Sequence, residues 1–182
     1  KIIIDRAKIS GGVGYLLTLF FLYGGIMEYD YDIYLLSQKF MSDYPFLKYP
    51  ELMYKSGRPY NCLLIDTHYD YFICVPYCSY INHKNAFMFK GTQRSKRTKS
   101  GLDYSKLVLI KDNEYLDNKK AIVDKDEFNE TIKHLARIVK EVNEYIDTYV
   151  SHVHGTKTLH PREYERRYRF STLPYFHDIL KI

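Results

Sequence analysis

Arg58 precedes an apolar segment, YNCLLIDTHYDYFICVPY (residues 60–77), and Ser79, His83 and Lys84 follow it closely. These types suit proton transfer beside an anion: His moves protons near neutral pH, while Lys, Arg and a hydroxyl hold phosphoryl oxygens. Metal-free cleavage of RNA needs this inventory, because its nucleophile is the substrate's own 2′-hydroxyl. A protein then has only to remove that proton, protonate the leaving 5′-oxygen and stabilise charge on the phosphate. DNA lacks the hydroxyl and is excluded. Cys78 and Asn85 extend the polar set. Spacing alone also allows plainer roles, with Ser79 capping a turn, Arg58 and Lys84 solvated, and His83 bonded to a backbone carbonyl. A Cys78 nucleophile with His83 as base needs a third, orienting group and an exposed thiolate, and the sequence displays neither.

Other chemistries lack their patterns. There is no GxxxxGKS/T or GxGxxG loop, no HExxH and no GxSxG elbow. Asp112, Glu114 and Asp117 fall in surface-like positions and form no paired set for two-metal cleavage. Cys74 and Cys78 are four apart, and the next zinc-ligand candidates, His152 and His154, lie far along the chain. No metal or cofactor is expected. Three cysteines, Cys62, Cys74 and Cys78, sit in or beside apolar stretches and read as reduced thiols of a cytoplasmic protein.

The elements that must position these groups fit one domain. The chain has 182 residues, 46% hydrophobic and 27% charged, with 20 Tyr, no Trp and a net charge of +5. That excludes a largely disordered protein and allows a full core without staples. The Tyr excess reflects AT-rich codons, a stacking surface for nucleobases, or both. Residues 60–66 and 71–77 read as a buried hairpin around Thr67–Asp70. Residues 86–90, 106–110 and, more weakly, 121–123 read as further strands. Residues 32–41 read as a short helix with Ile33, Leu36 and Phe40 on one face, followed by breaks at Pro45 and Pro50. From Phe128 to Tyr149, apolar residues recur every three or four positions, which predicts one long amphipathic helix. Asp124 and Glu127 resemble a capping box at its start, and Gly155 can end it.

Charge is concentrated locally. Residues 84–106 hold seven cations (Lys84, Lys90, Arg94, Lys96, Arg97, Lys99, Lys106) and one acid, Asp103. Within them, 90–101 reads as a mobile loop. Arg162, Arg166, Arg167 and Arg169 form a second basic segment with Tyr164 and Tyr168 interleaved. Basic surface carrying aromatics suits RNA; a merely solvated loop is the alternative.

The N-terminal stretch stands apart. Gly11–Met27 is an uncharged, largely apolar run behind Lys1, Arg6 and Lys8, at the lower limit of the roughly 17–25 residues that span a bilayer. It lacks a small-residue cleavage signal before Met27. Tyr23–Met27 back-translates to a sequence that permits a GGAGG-type ribosome-binding site ahead of an ATG. Residues 1–26 are therefore expected to be a translated leader and 27–182 the domain, with a membrane anchor over Val13–Ile26 as the alternative.

In linear order the chain runs short helix, Pro-broken segment, Arg58-Pro59, the YNCLLIDTHYDYFICVPY hairpin, Cys78-Ser79, basic loop, SGLDYSKLVLI and a helical region. This order resembles the ToxN/AbiQ family of type III toxin–antitoxin endoribonucleases, most closely its CptN and TenpN-like branch. The resemblance implies an α+β fold, a compact PemK/MazF-like antiparallel β-barrel with flanking helices. It implies metal-independent cleavage of cellular mRNA to a 2′,3′-cyclic phosphate, and inhibition in a hetero-oligomer with a folded RNA antitoxin derived from tandem repeats. No DNA or membrane partner is implied. By position Ser79 inherits a catalytic or phosphate-binding role, Lys84 matches a basic residue after it, and Arg58 stands where the family usually has Lys. Arginine binds phosphate but is a poor general base, which shifts work to His83 and Lys84. Cys78, Asn85, Lys90, Arg94, Lys96, Arg97, Lys99, Arg166 and Arg167 are the expected RNA contacts. The alternative is a non-catalytic RNA-binding module on the same fold.

Overall fold

The computed structural model describes residues 15–20, 26–52, 60–67, 69–119 and 121–182. Their strands and helices run β1 (Tyr15–Phe20), β2 (Ile26–Leu36), α1 (Gln38–Asp43), β3 (Asn61–Ile65), β4 (Phe72–Cys78), β5 (Ala86–Met88), α2 (Ser95–Thr98), β6 (Gly101–Asp103), β7 (Val108–Ile110), β8 (Leu116–Asp117), α3 (Lys125–Lys133), α4 (Leu135–Val153), α5 (Pro161–Tyr168) and α6 (His177–Leu180). The class is α+β, an antiparallel sheet sharing one core with helices. Of the expected leader, residues 15–20 pair with β2 as β1, while residues 1–14 and 21–25 lie outside the described residues. Among the described residues no helix is long and apolar enough to cross a membrane.

The expected β3–β4 hairpin forms, with Cys62 opposite Pro76 and Ile65 opposite Ile73. It is the spine of the sheet, whose order is β1-β2-β3-β4-β6-β5, with β7 added to β4 and β8 to β2. The free edge of β4 serves two partners in turn. Phe72–Cys74 pair with β7 and Tyr77–Cys78 with β6; Pro76, with no N–H to donate, lies between the two sets. β5 and β6 approach so closely that a Cβ at Gly101 would sit 2.2 Å from the Phe87 carbonyl oxygen, so only glycine fits. The pairings among the described residues leave the sheet open and do not close it into a barrel.

The structure corrects several expectations. Residues 32–36 belong to β2, where Ile33 pairs with Leu63 and Leu35 with Asn61. Their apolar spacing suits helix or strand, and pairing with a buried strand decides. The helix starts only after Ser37, whose hydroxyl accepts the Phe40 N–H at 3.3 Å. Residues 121–123 form no strand.

The long helix, in turn, is two. His134 leaves helical geometry (φ −115°, ψ 13°) between α3 and α4. Leu135, Ile138, Val139, Val142, Tyr145, Ile146 and Tyr149 of α4 are buried, contributing on the order of 10 kcal/mol before the entropy of ordering them. Gly155 (φ +74°) terminates α4 as expected. In α3, however, Glu127 and Thr131 are the buried residues, and Phe128 and Ile132 are only half-buried. There is no capping box, since Asp124 makes no side-chain cap bond and Glu127 is used elsewhere.

That other use corrects the mobile-loop expectation. Residues 90–101 contain α2 and are tied to α3 by its acids. The Glu130 carboxylate accepts the Lys90 and Gly91 N–H groups at 2.9 and 3.1 Å, and Asp126 accepts that of Gln93 at 2.7 Å. Glu127 accepts two bonds from Arg94, at 2.9 and 2.6 Å, and one from the Ser100 hydroxyl at 2.7 Å.

Candidate active site

Beside the C-terminal end of β4 opens a cleft of about 680 Å³, with Cys78, Ser79, His83, Asp103, Ser105 and Lys106 among its lining. Local structure explains how they meet. β4 ends where Cys78 pairs with Gly101, and the chain then turns through Tyr80 at φ +61°. The Tyr80 N–H donates to the Thr98 carbonyl at 2.5 Å and the Ile81 N–H to that of Lys99 at 3.2 Å. Buried Ile81 anchors the turn and fixes the base of the strip carrying His83. On the facing wall Asp103 ends β6 and begins a 3-10 turn over Tyr104–Lys106, its carboxylate accepting the Ser105 N–H at 2.9 Å.

Asp103 and His83 form the centre of the site. One Asp103 oxygen also accepts the Ser105 hydroxyl at 2.7 Å; the other lies 3.2 Å from His83 Nε2. Asp103 is buried, with its side chain 7% exposed, whereas that of His83 is 31% exposed. A carboxylate only accepts, so the neutral ring carries its proton on Nε2 and its lone pair on Nδ1. Nδ1 is buried and has no hydrogen-bond partner. Ser105 Oγ lies 3.5 Å from Nε2, the same nitrogen that faces Asp103. The arrangement is therefore not a Ser–His–Asp relay, which uses both ring nitrogens.

Around this centre the Lys106 and Tyr77 side chains are committed. Lys106 Nζ donates to Glu51 and, at 2.7 Å, to the Phe170 carbonyl. The Tyr77 hydroxyl is paired with Thr131 at 3.0 Å, and burial pushes its pKa up, so it stays protonated. The Ser79 hydroxyl makes no hydrogen bond to another described residue and caps no turn. Counting the lining, Arg94 and Lys106 face Glu51, Asp103, Asp124 and Glu127, two cations against four carboxylates. The cleft itself does not attract a polyanion; its surroundings must.

Of the expected residues, the fold brings together Ser79, His83, Cys78 and Arg94 along one cleft. Lys84 is exposed and outside that lining. Asn85 donates its side-chain amide to the Arg167 carbonyl at 3.0 Å, tying the turn to α5. Arg58 lies outside the described residues. Arg94 donates from both Nε and Nη2 to Glu127. Lys90, Lys96, Arg97 and Lys99 are exposed and have no ion-pair partner among the described residues. Arg166 is exposed too, but Arg167 faces Glu163 at 3.6 Å.

Asp103, Ser105, Lys106 and Glu51 were not singled out by sequence reasoning. One signal was present: Asp103 is the lone acid between residues 84 and 106. Among the described residues no three His, Cys, Asp or Glu side chains are grouped to hold a metal ion. None of the three cysteines forms a disulfide. Comparison with protein-family models, curated proteins and solved structures gave no match.

Proposed function

We propose that the cleft is the active site of a metal-independent endoribonuclease. The observation that carries this is the His83–Asp103 pair: a half-exposed imidazole held by a buried carboxylate, with one ring nitrogen unsatisfied, beside an uncommitted Ser79 hydroxyl. An unsatisfied buried polar atom is costly, and a ligand hydroxyl is the partner we assign to it.

In this mechanism the His83 ring turns its Nδ1 edge toward the cleft and accepts the proton of the 2′-hydroxyl. That oxygen attacks the adjacent phosphorus, and the bond to the 5′-oxygen breaks. The His83 imidazolium returns its proton to the leaving 5′-oxygen, so the products are a 2′,3′-cyclic phosphate and a 5′-hydroxyl. Asp103 stabilises the imidazolium that forms. Ser79 donates to a phosphoryl oxygen.

The particular protein we propose is a type III toxin of the ToxN/AbiQ kind, acting in the cytoplasm on mRNA and held in check by a folded RNA antitoxin in a hetero-oligomer. The order of motifs along residues 27–182 supports this. So does the open antiparallel sheet, which we take as the frame of a PemK/MazF-like barrel. Exposed Lys90, Lys96, Arg97 and Lys99 provide the polyanion surface that the cleft lacks.

The test is incubation of the protein, freed of RNA, with total RNA in excess EDTA, with a DNA control and mapping of new ends. Discrete cuts ending in 2′,3′-cyclic phosphate with DNA intact are expected. Folded protein that binds RNA in a salt-dependent manner and cuts none would replace this reading with the RNA-binding module.

A further inference from the structure

Tyr80 is placed against its own conformational preference. Its φ of +61° lies in the left-handed region, where Gly or Asn is the residue a turn selects and an aromatic side chain is disfavoured. Its ring is 77% exposed and stacks on no other ring among the described residues. Turn chemistry and packing therefore both leave the choice of tyrosine unexplained. Backbone strain of this kind, held by its surroundings, concentrates at functional positions.

The surroundings hold it firmly. Its N–H is bonded to Thr98 O and the next N–H to Lys99 O, and Lys99 is itself left-handed at φ +50°. Each of the two hydrogen-bonded segments thus carries a left-handed residue, one a tyrosine and the other a lysine. Tyr80 lines the cleft next to Ser79, and exposed Lys96, Arg97 and Lys99 lie on the segment it is bonded to.

We propose that Tyr80 is a stacking platform for a nucleobase of single-stranded RNA at the mouth of the cleft. Lys96, Arg97 and Lys99 take the phosphates that lead to it. A ring face beside a cationic track is how single strands are gripped without reading their sequence. Stacking on Tyr80 would place the neighbouring phosphodiester beside Ser79 and His83. This inference rests on the ribonuclease reading of the same cleft and adds how its substrate is held.

The experiment uses a single-stranded, fully 2′-O-methyl oligonucleotide of mixed sequence containing 2-aminopurine. Such RNA binds without being cleaved, and stacking quenches its fluorescence. The proteins compared are wild type, Tyr80→Phe and Tyr80→Gly, the glycine being suited to φ +61° and so expected to fold. Wild type and Tyr80→Phe should bind within about twofold of each other with full quenching. Tyr80→Gly should bind roughly tenfold or more weakly with quenching reduced, in line with the loss of one stacked base, while its thermal unfolding is unchanged or raised. Equal affinity and quenching in Tyr80→Gly would overturn the platform and leave the ribonuclease reading standing. Failure of wild type to bind the oligonucleotide would overturn the platform together with the RNA track. RNA cuts in EDTA report on the ribonuclease reading separately.

Discussion

Two buried carboxylates, Glu127 and Asp103, line the same cleft, and each holds one basic side chain. Glu127 is a closed case. Its oxygens accept two bonds from Arg94 and one from Ser100, and its side chain is 1% exposed. Asp103 is equally satisfied, but its partner is not, because His83 keeps an unpartnered nitrogen. The difference separates two uses of buried charge. A network closed on both sides fixes a fold, here by clamping residues 90–101 to α3. A network left open on the side of a titratable ring retains capacity for proton transfer, which is why the chemistry is assigned to His83 and not to Arg94.

The largest expected effect breaks the closed network. Arg94→Ala leaves the Glu127 carboxylate buried with Ser100 alone, and should cost about 3–5 kcal/mol in urea unfolding. A cost under about 1 kcal/mol would mean that residues 90–101 are not held by this pair. Lys96→Ala, two residues on, should change stability by less than about 0.5 kcal/mol.

The same segment sharpens the contrast when binding is read instead. Replacing Lys96, Arg97 and Lys99 together by Ala should leave unfolding nearly unchanged. It should weaken binding of single-stranded RNA and lower the slope of log affinity against log salt by about 2, three phosphate contacts at about 0.7 each. An unchanged slope would move the RNA track elsewhere.

The smallest effect belongs to α5, the other basic segment of the sequence. There Arg167 and Arg169 meet Glu163 and Glu165 one turn back, at 3.6 and 3.2 Å. Such exposed pairs are worth a few tenths of a kcal/mol. Arg169→Ala should therefore shift stability by that little and RNA affinity by less than about twofold. A loss as large as that of the Lys96–Lys99 replacement would make α5 part of the RNA surface.

How much of this was legible in the sequence depended on how far apart the deciding residues lie. The β3–β4 hairpin was legible because two apolar runs flank a short polar turn. So was α4, since its stripe from Leu135 to Tyr149 is self-contained. The α+β class followed from the two together. Residues 32–36 were misread because the short apolar run from Ile33 to Leu36 suits helix or strand, and the strand opposite it begins only at Asn61. Residues 90–101 looked mobile because the acids that clamp them, Asp126, Glu127 and Glu130, come 33 to 40 residues later. Glu127 was read as a cap because it stands three residues after Asp124, while its partners Arg94 and Ser100 lie far back in the chain.

The site divided in the same way. His83, Ser79 and Cys78 were found because they follow a recognisable strand. Asp103 and Lys106 were not, because only the pairing of β6 with β4 and the tight turn after it bring them across the cleft.

The most direct test compares wild type with His83→Asn in single-turnover cleavage of RNA in excess EDTA, alongside urea unfolding of both. Loss of a proton-transfer group should slow cleavage about 10²- to 10⁴-fold while the protein stays folded with its RNA affinity within a few-fold of wild type. Cleavage by His83→Asn at the wild-type rate would contradict the assignment of acid–base chemistry to the open side of the Asp103 network.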